Sequence, residues 1–196
     1  MIAALRGSSE MIFDLYDHPQ DFQRLAESCT EFSIGLVRAQ HAITGSFAGG
    51  FLIEQLGLWA PDRLARLQED SSALFSPDLY TSLLQPHDRR MAEAFPYSAI
   101  HLHSSSLFLL DRILEVESLR CIQINKDVGN TAIPEMLPCL QKVQTRQRSL
   151  LIRGKLDFED LALLRTHLSP DGLYLQIVVE KAADAQSPRE FFRPWV

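Results

Sequence analysis

Cysteine is scarce in this chain and poorly placed for cross-linking. The three residues Cys29, Cys121 and Cys139 form no CxxC pair, are odd in number, and each sits in an apolar segment. They read as buried free thiols of a reducing compartment and exclude a disulfide framework. No apolar run reaches membrane-span length and no signal-peptide pattern follows Met1, so a soluble, cytoplasmic protein without a membrane partner is expected. Positive charge is also in deficit: 19 Lys and Arg against 25 Asp and Glu leave a formal charge of −6. Such a surface repels phosphate backbones, so no nucleic-acid partner is expected. The one basic cluster, Lys142 to Lys155 with Arg146, Arg148 and Arg153, reads as a solvated face or a helix C-terminus. No Ser-His-Asp spacing, P-loop or dinucleotide motif is present, and Gly45 to Gly50 lacks the residue order that phosphate binding needs. Internal repeats and low-complexity tracts are absent as well.

What is there suffices for one core: 196 residues, 46% hydrophobic, read as a single domain over 1–196. Residues 10–43 read as two helical pieces separated at Asp17-His18-Pro19, with Phe22, Leu25, Cys29, Phe32, Leu36 and Ile43 forming one stripe. Gly45, Gly49, Gly50 and Gly57 loosen the next stretch, a functional-loop candidate closed by Trp59-Ala60-Pro61. Beyond it, segments suited to strands (64–69, 98–103, 119–125, 149–153 and 173–179) alternate with helical ones. Ser76-Pro77-Asp78, Ser104 to Ser106 and Pro134 open helices, and Asp157 with Asp160 resembles a capping box. Strands 119–125 and 173–179 read as apolar on both faces or nearly so, as in a sheet covered on one side and closed on the other. Strands joined by helical crossovers mean a parallel α/β sheet. A parallel barrel closes at about eight strands, so the pattern leaves a partial barrel and an open doubly wound sheet both standing.

Several runs together carry a resemblance. Leu5-Arg6-Gly7-Ser8-Ser9-Glu10-Met11, then Leu15-Tyr16-Asp17-His18-Pro19-Gln20, resembles the segment after the third barrel strand of uroporphyrinogen decarboxylases. Gln68-Glu69-Asp70-Ser71-Ser72 with Ser76-Pro77 and Tyr80 looks like the end of the fourth strand. His101-Leu102-His103 falls at the fifth, Gln123-Ile124-Asn125 with Asp127 at the sixth, and Leu151 to Asp157 resembles the seventh-strand turn. The resemblance covers nearly the whole chain in order. It implies an α/β fold, a partial TIM (β/α)8 barrel holding strands 4–8, with the first three units outside this sequence. Two exposed strand edges would follow, hence a homo-oligomer or a complement from the missing barrel half.

In such barrels chemistry sits at the C-terminal strand ends. His101 and His103 stand at i and i+2 on one strand, so both side chains reach the same side and could share an ion. The alternative is that one enters the core, or that both bond Ser104 to Ser106. The superfamily's zinc methyltransferases resemble this with a His-x-Cys and a further Cys after the last strand. Here His103 takes the second place, no cysteine follows Cys139, and Glu180 is the expected third ligand of a zinc ion. Asp70 stands where the decarboxylases carry a substrate-contacting serine and reads either as a catalytic group or as a turn cap. Asp127, also a catalytic candidate, and Asn125 border the mouth or make a turn with Val128-Gly129-Asn130. Arg153 and Lys155 are cations suited to a substrate carboxylate or phosphate, or to a surface ion pair. His18, His41, His87 and His167 are assigned no chemistry, and Trp59 and Trp195 read as packing or anchoring residues.

The resemblance thus implies a small-molecule enzyme. The expectations are a zinc-dependent methyltransferase-like activity, the porphyrinogen decarboxylation that names the family, or a non-catalytic fragment. The acidic balance and the absence of histidine from 173–182, where the decarboxylases have one, weigh against decarboxylation.

Overall fold

Pro19 opens the longest helix, where its missing N–H costs nothing, and His18 before it leaves helical geometry and ends the preceding one. The computed structural model describes residues 1–68, 70–129, 131–185, 188, 190 and 191. Within them the N-terminal region forms α1 (Ile2–Arg6), α2 (Ser8–Asp17) and α3 (Pro19–Thr44). The stripe read from sequence holds only in part. Phe22, Ala26, Cys29, Thr30 and Ile34 are buried, while Phe32, Leu36 and Ile43 of the same helix are exposed. Trp195 lies outside the described residues.

The glycine-rich stretch is corrected. Instead of a loop it builds a hairpin of β1 (Phe51–Ile53) and β2 (Leu58–Ala60), paired antiparallel. Gly57 turns the chain in the left-handed region, and Leu56 beside it is 3% exposed against Ala99, Cys121 and Leu151. Gly50 fits because a Cβ there would stand 2.2 Å from the Ala60 carbonyl oxygen. The stretch is therefore a plug.

The alternating second half matches expectation closely: β3 (Leu64–Gln68), β4 (Tyr97–His103), β5 (Cys121–Lys126), β6 (Ser149–Gly154) and β7 (Leu173–Ile177) form one parallel sheet. Their order in the sheet is their order in the chain. A doubly wound sheet reverses at a switch point, and this one does not. It also does not close: β3 and β7 each have one strand neighbour. The crossovers are α4 (Pro77–Leu79), a π turn at Tyr80–Leu84 and α5 (Gln85–Glu93), then a 3₁₀ stretch at Ser104–Leu109 with α6 (Leu110–Leu114), then α7 (Ile133–Thr145) and α8 (Phe158–His167). Three of their start signals act as read, whereas Ser104 to Ser106 lie in the 3₁₀ stretch and cap no helix. Ser76 Oγ accepts the Leu79 amide, Pro134 lies in the first turn of α7, and Asp157 and Asp160 form a reciprocal capping box.

Register sorts the side chains. Leu67, Ile100, Ile122 and Leu150 form one row, and Leu102, Ile124 and Ile152 the next, all in the main core shared with the helices. Alternate positions put Arg66, Gln68, His101, His103, Gln123, Asn125, Arg153 and Gln176 on the other face. The expectation that 119–125 is apolar on both sides is therefore corrected: Cys121-Ile122-Gln123-Ile124-Asn125 alternates. The hairpin dries the N-terminal half of this second face, leaving its polar C-terminal half beside the strand ends.

Candidate metal centre

His101 and His103 are the mid and last residues of β4, so strand alternation turns both rings to the polar face. Asp70 arrives from just after β3, whose last residue, Gln68, pairs in register with His101. Three atoms then converge. His101 Nε2 and His103 Nε2 are 3.4 Å apart, and Asp70 Oδ1 lies 3.6 Å from the first and 3.4 Å from the second. Among the described residues this is the group whose geometry suits a metal ion.

The remaining atoms of each side chain are held from behind. His101 Nδ1 pairs with Gln123 Oε1, and Gln123 Nε2 in turn donates to Asn125 Oδ1 at 2.8 Å. His103 Nδ1 is 2.9 Å from Asp127 Oδ1. Asp127 Oδ2 accepts the Ser104 amide at 3.0 Å and the Ser104 hydroxyl at 3.1 Å. Gln68 Nε2 donates to Asp70 Oδ2. An amide oxygen and a carboxylate can only accept, so each imidazole donates from Nδ1, which in the neutral ring leaves Nε2 as an acceptor. In that neutral form three acceptor atoms face one another, an arrangement that suits a cation.

His101 is 7% exposed, and burial above all holds its pKa below the usual histidine value, against the Gln123 hydrogen bond, which raises it. Burial would raise the Asp127 carboxyl, but the His103 and Ser104 hydrogen bonds outweigh it and keep it below the ordinary range. Asp70 and the outer side of His103 remain open, with side-chain exposures of 50% and 33%.

The other residues singled out from sequence fall at varying distances from this centre. Asp127 and Asn125 stand behind the histidines, as orienting groups. Arg153 lies on the same face, level with Asn125 and Gln176. Lys155 and Glu180 pair with each other at 2.7 Å on the surface, so Glu180 is not brought to the histidines and Asp70 stands in the place expected for it. Burial raises all three thiols, Cys121 to about 12, which leaves each a poor nucleophile. Sequence reasoning gave Gln123 no role at the site, naming it only in the resemblance, and took Ser104 as an alternative partner of the histidines. The i, i+2 pairing of Gln123 with Asn125 in an otherwise aliphatic strand was the available signal for the first. Ser104 bonds Asp127 rather than the histidines, and that depends on the β4–β5 register.

No helix among the described residues is long and apolar enough to cross a membrane. Comparisons with protein-family models, with curated proteins and with solved structures each return no match.

Proposed function

We propose that this chain is a metal-dependent enzyme in which Asp70, His101 and His103 hold a zinc ion with an outward position open to a small substrate. The carrying observation is the convergence of Asp70 Oδ1 and the two histidine Nε2 atoms, with each ring's Nδ1 engaged by an acceptor behind it. A cation at their common centre would meet all three, and burial of His101 disfavours the proton. The spacing supports zinc in particular. Zinc–ligand bonds of about 2.1 Å place tetrahedral donors about 3.4 Å apart, against the 3.4, 3.4 and 3.6 Å found here. Asp127 and Gln123 match the partners that metal-bound histidines require on their second nitrogen. Zinc in such a site acts as a Lewis acid and lowers the pKa of a bound thiol or water.

The wider reading is a partial (β/α)8 barrel related to the uroporphyrinogen decarboxylase superfamily, nearest in chemistry to its zinc methyltransferases with a thiol as acceptor. Its supports are the ordered sequence resemblance, the unreversed strand order and the placement of all three donors at C-terminal strand ends. The chain's own contribution is to fix the donor atoms, favour the neutral form of His101 by burial and leave the Asp70 side open. The test is metal analysis of protein purified without chelator. About one zinc per chain is expected, lost in the His101→Ala, His103→Ala double variant. Absence of zinc in the parent, or its retention in the variant, overturns the reading.

A further inference from the structure

Along α3, Phe22, Leu25, Cys29, Phe32, Leu36, Ala39 and Ile43 follow one another at steps of 3, 4, 3, 4, 3 and 4 residues. That is a heptad seam with an apolar or small residue at every a and d position. The fold uses only its first half. Phe22 and Cys29 are buried, whereas Phe32, Leu36 and Ile43 are 61%, 44% and 85% exposed, and Ala39 is exposed with them. In this second half the core takes a different row of the same helix, Ile34 and Val37. At about 100° per residue, the four exposed seam residues lie within about 60° of one another. Arg24, Glu27, Glu31 and Arg38 occupy a third face. A helix at a protein surface is normally polar outside its core-facing stripe, and α3 carries a second apolar stripe that its own chain leaves bare.

We propose that the exposed half of this seam is a dimer interface, at which α3 packs against α3 of a second copy of the chain. A seven-residue repeat is the pattern of one helix laid along another, so the occupant is a helix. The positions beside the exposed half, Ser33, Gly35, Gln40 and Ala42, are uncharged and mostly small. An identical stripe can therefore approach closely without meeting its own charge. About a twofold axis between Val37 and Arg38, Phe32 meets the partner's Ile43 and Leu36 the partner's Ala39. Every exposed seam residue is then covered, and one patch serves both copies. At about 200 Å² per large apolar side chain, the exposed fractions of Phe32, Leu36 and Ile43 amount to about 400 Å² per copy. A continuous patch of that size marks an interaction site, at the small end of specific interfaces, so the dimer is reversible with a Kd in the micromolar range. A lipid surface suits the stripe less well. Arg24 pairs with Asp21, Arg90 pairs with Glu27 and Glu31, and the net charge is −6, so anionic headgroups find little attraction.

The test is sedimentation of the full chain from about 1 to about 200 µM, a range that spans the affinity expected of so small an interface. The mass is expected to rise from monomer to dimer across it. The Phe32→Gln, Ile43→Gln double variant changes two exposed side chains and is expected to raise the Kd about 100-fold, with the urea midpoint and zinc content unchanged. Ala39→Glu, which puts one charge from each copy into the seam, is expected to raise it about tenfold. Phe108→Gln removes a side chain that is 51% exposed outside the seam, and is expected to dimerise like the parent. A parent that stays monomeric at every concentration overturns the proposal. So does a dimer that survives both seam variants, which would place the contact elsewhere, as at the open edges of β3 and β7. Loss of the dimer in Phe108→Gln overturns it too, as does seam-dependent binding to phosphatidylcholine–phosphatidylglycerol vesicles in place of self-association.

Discussion

On the helix-covered face of the sheet, Ile100, Leu102, Ile122, Ile124, Leu150 and Ile152 are all 0% exposed within the main apolar core. One residue along in each strand, the opposite face carries Arg66, His101, His103, Gln123, Asn125 and Arg153. The same backbone ladder therefore supports two unlike surfaces. The first is held by non-directional burial, which tolerates any well-shaped aliphatic set. The second is held by directional bonds, in which each group fixes the next: Asn125, Gln123, His101 on one side and Ser104, Asp127, His103 on the other. Stability should depend on the first face and ligand chemistry on the second.

The sharpest way to break this contrast is a truncation on the aliphatic face. Ile122→Ala is expected to cost about 3 to 4 kcal/mol in urea unfolding, with zinc stoichiometry unchanged in the fraction that remains folded. On the polar face, Asp127→Asn keeps an oxygen for the Ser104 amide but loses the charge behind His103. It should weaken zinc about 10- to 100-fold in chelator competition, with the urea midpoint nearly constant. Equal effects of the two substitutions on stability would erase the distinction.

The hairpin plug is the boundary between the regimes and gives a smaller effect. Gly57 has φ +60, and a Cβ there would lie 2.8 Å from the Tyr174 hydroxyl. Gly57→Ala should cost about 1 kcal/mol, read as a lowered unfolding midpoint, and a neutral result would mean the plug is loosely seated. The smallest effect is in pH. His101 has a folded pKa below its unfolded value of 6.5, so the unfolded chain takes up the proton first. Its contribution is complete above pH 6.5 and is lost as pH falls from there toward the folded value. In chelator-treated protein the urea midpoint should decline over that window, with a shallower decline in His101→Gln. His41 and His87, also lowered chiefly by burial, retain the rest of the slope. An identical slope in the variant would contradict the buried, neutral state of His101.

Legibility from sequence differed between these regions. Strand positions came within about two residues of the observed ones, a normal margin for element ends, because short apolar segments and the helix starts between them are local signals. The hairpin was misread because four glycines look like a loose loop, whereas Gly50 and Gly57 are there for close approach to Ala60 and Tyr174. The aliphatic tally of 119–125 hid its alternation, and Gln123 was overlooked with it.

By itself the sequence determined the order of strands and helices, the caps that start them, and the placing of His101 and His103 on one side of one strand. Each follows from chemistry within a few residues: a period of two, a proline without an N–H, a carboxylate three residues from an amide. The tertiary structure alone decided that the strands lie in unreversed order, that Asp70 and not Glu180 joins the histidines, and that Gln123 and Asp127 fix their protons. Those are relations between neighbouring strands, set by register and by which edge remains open, and no local pattern in the chain records them.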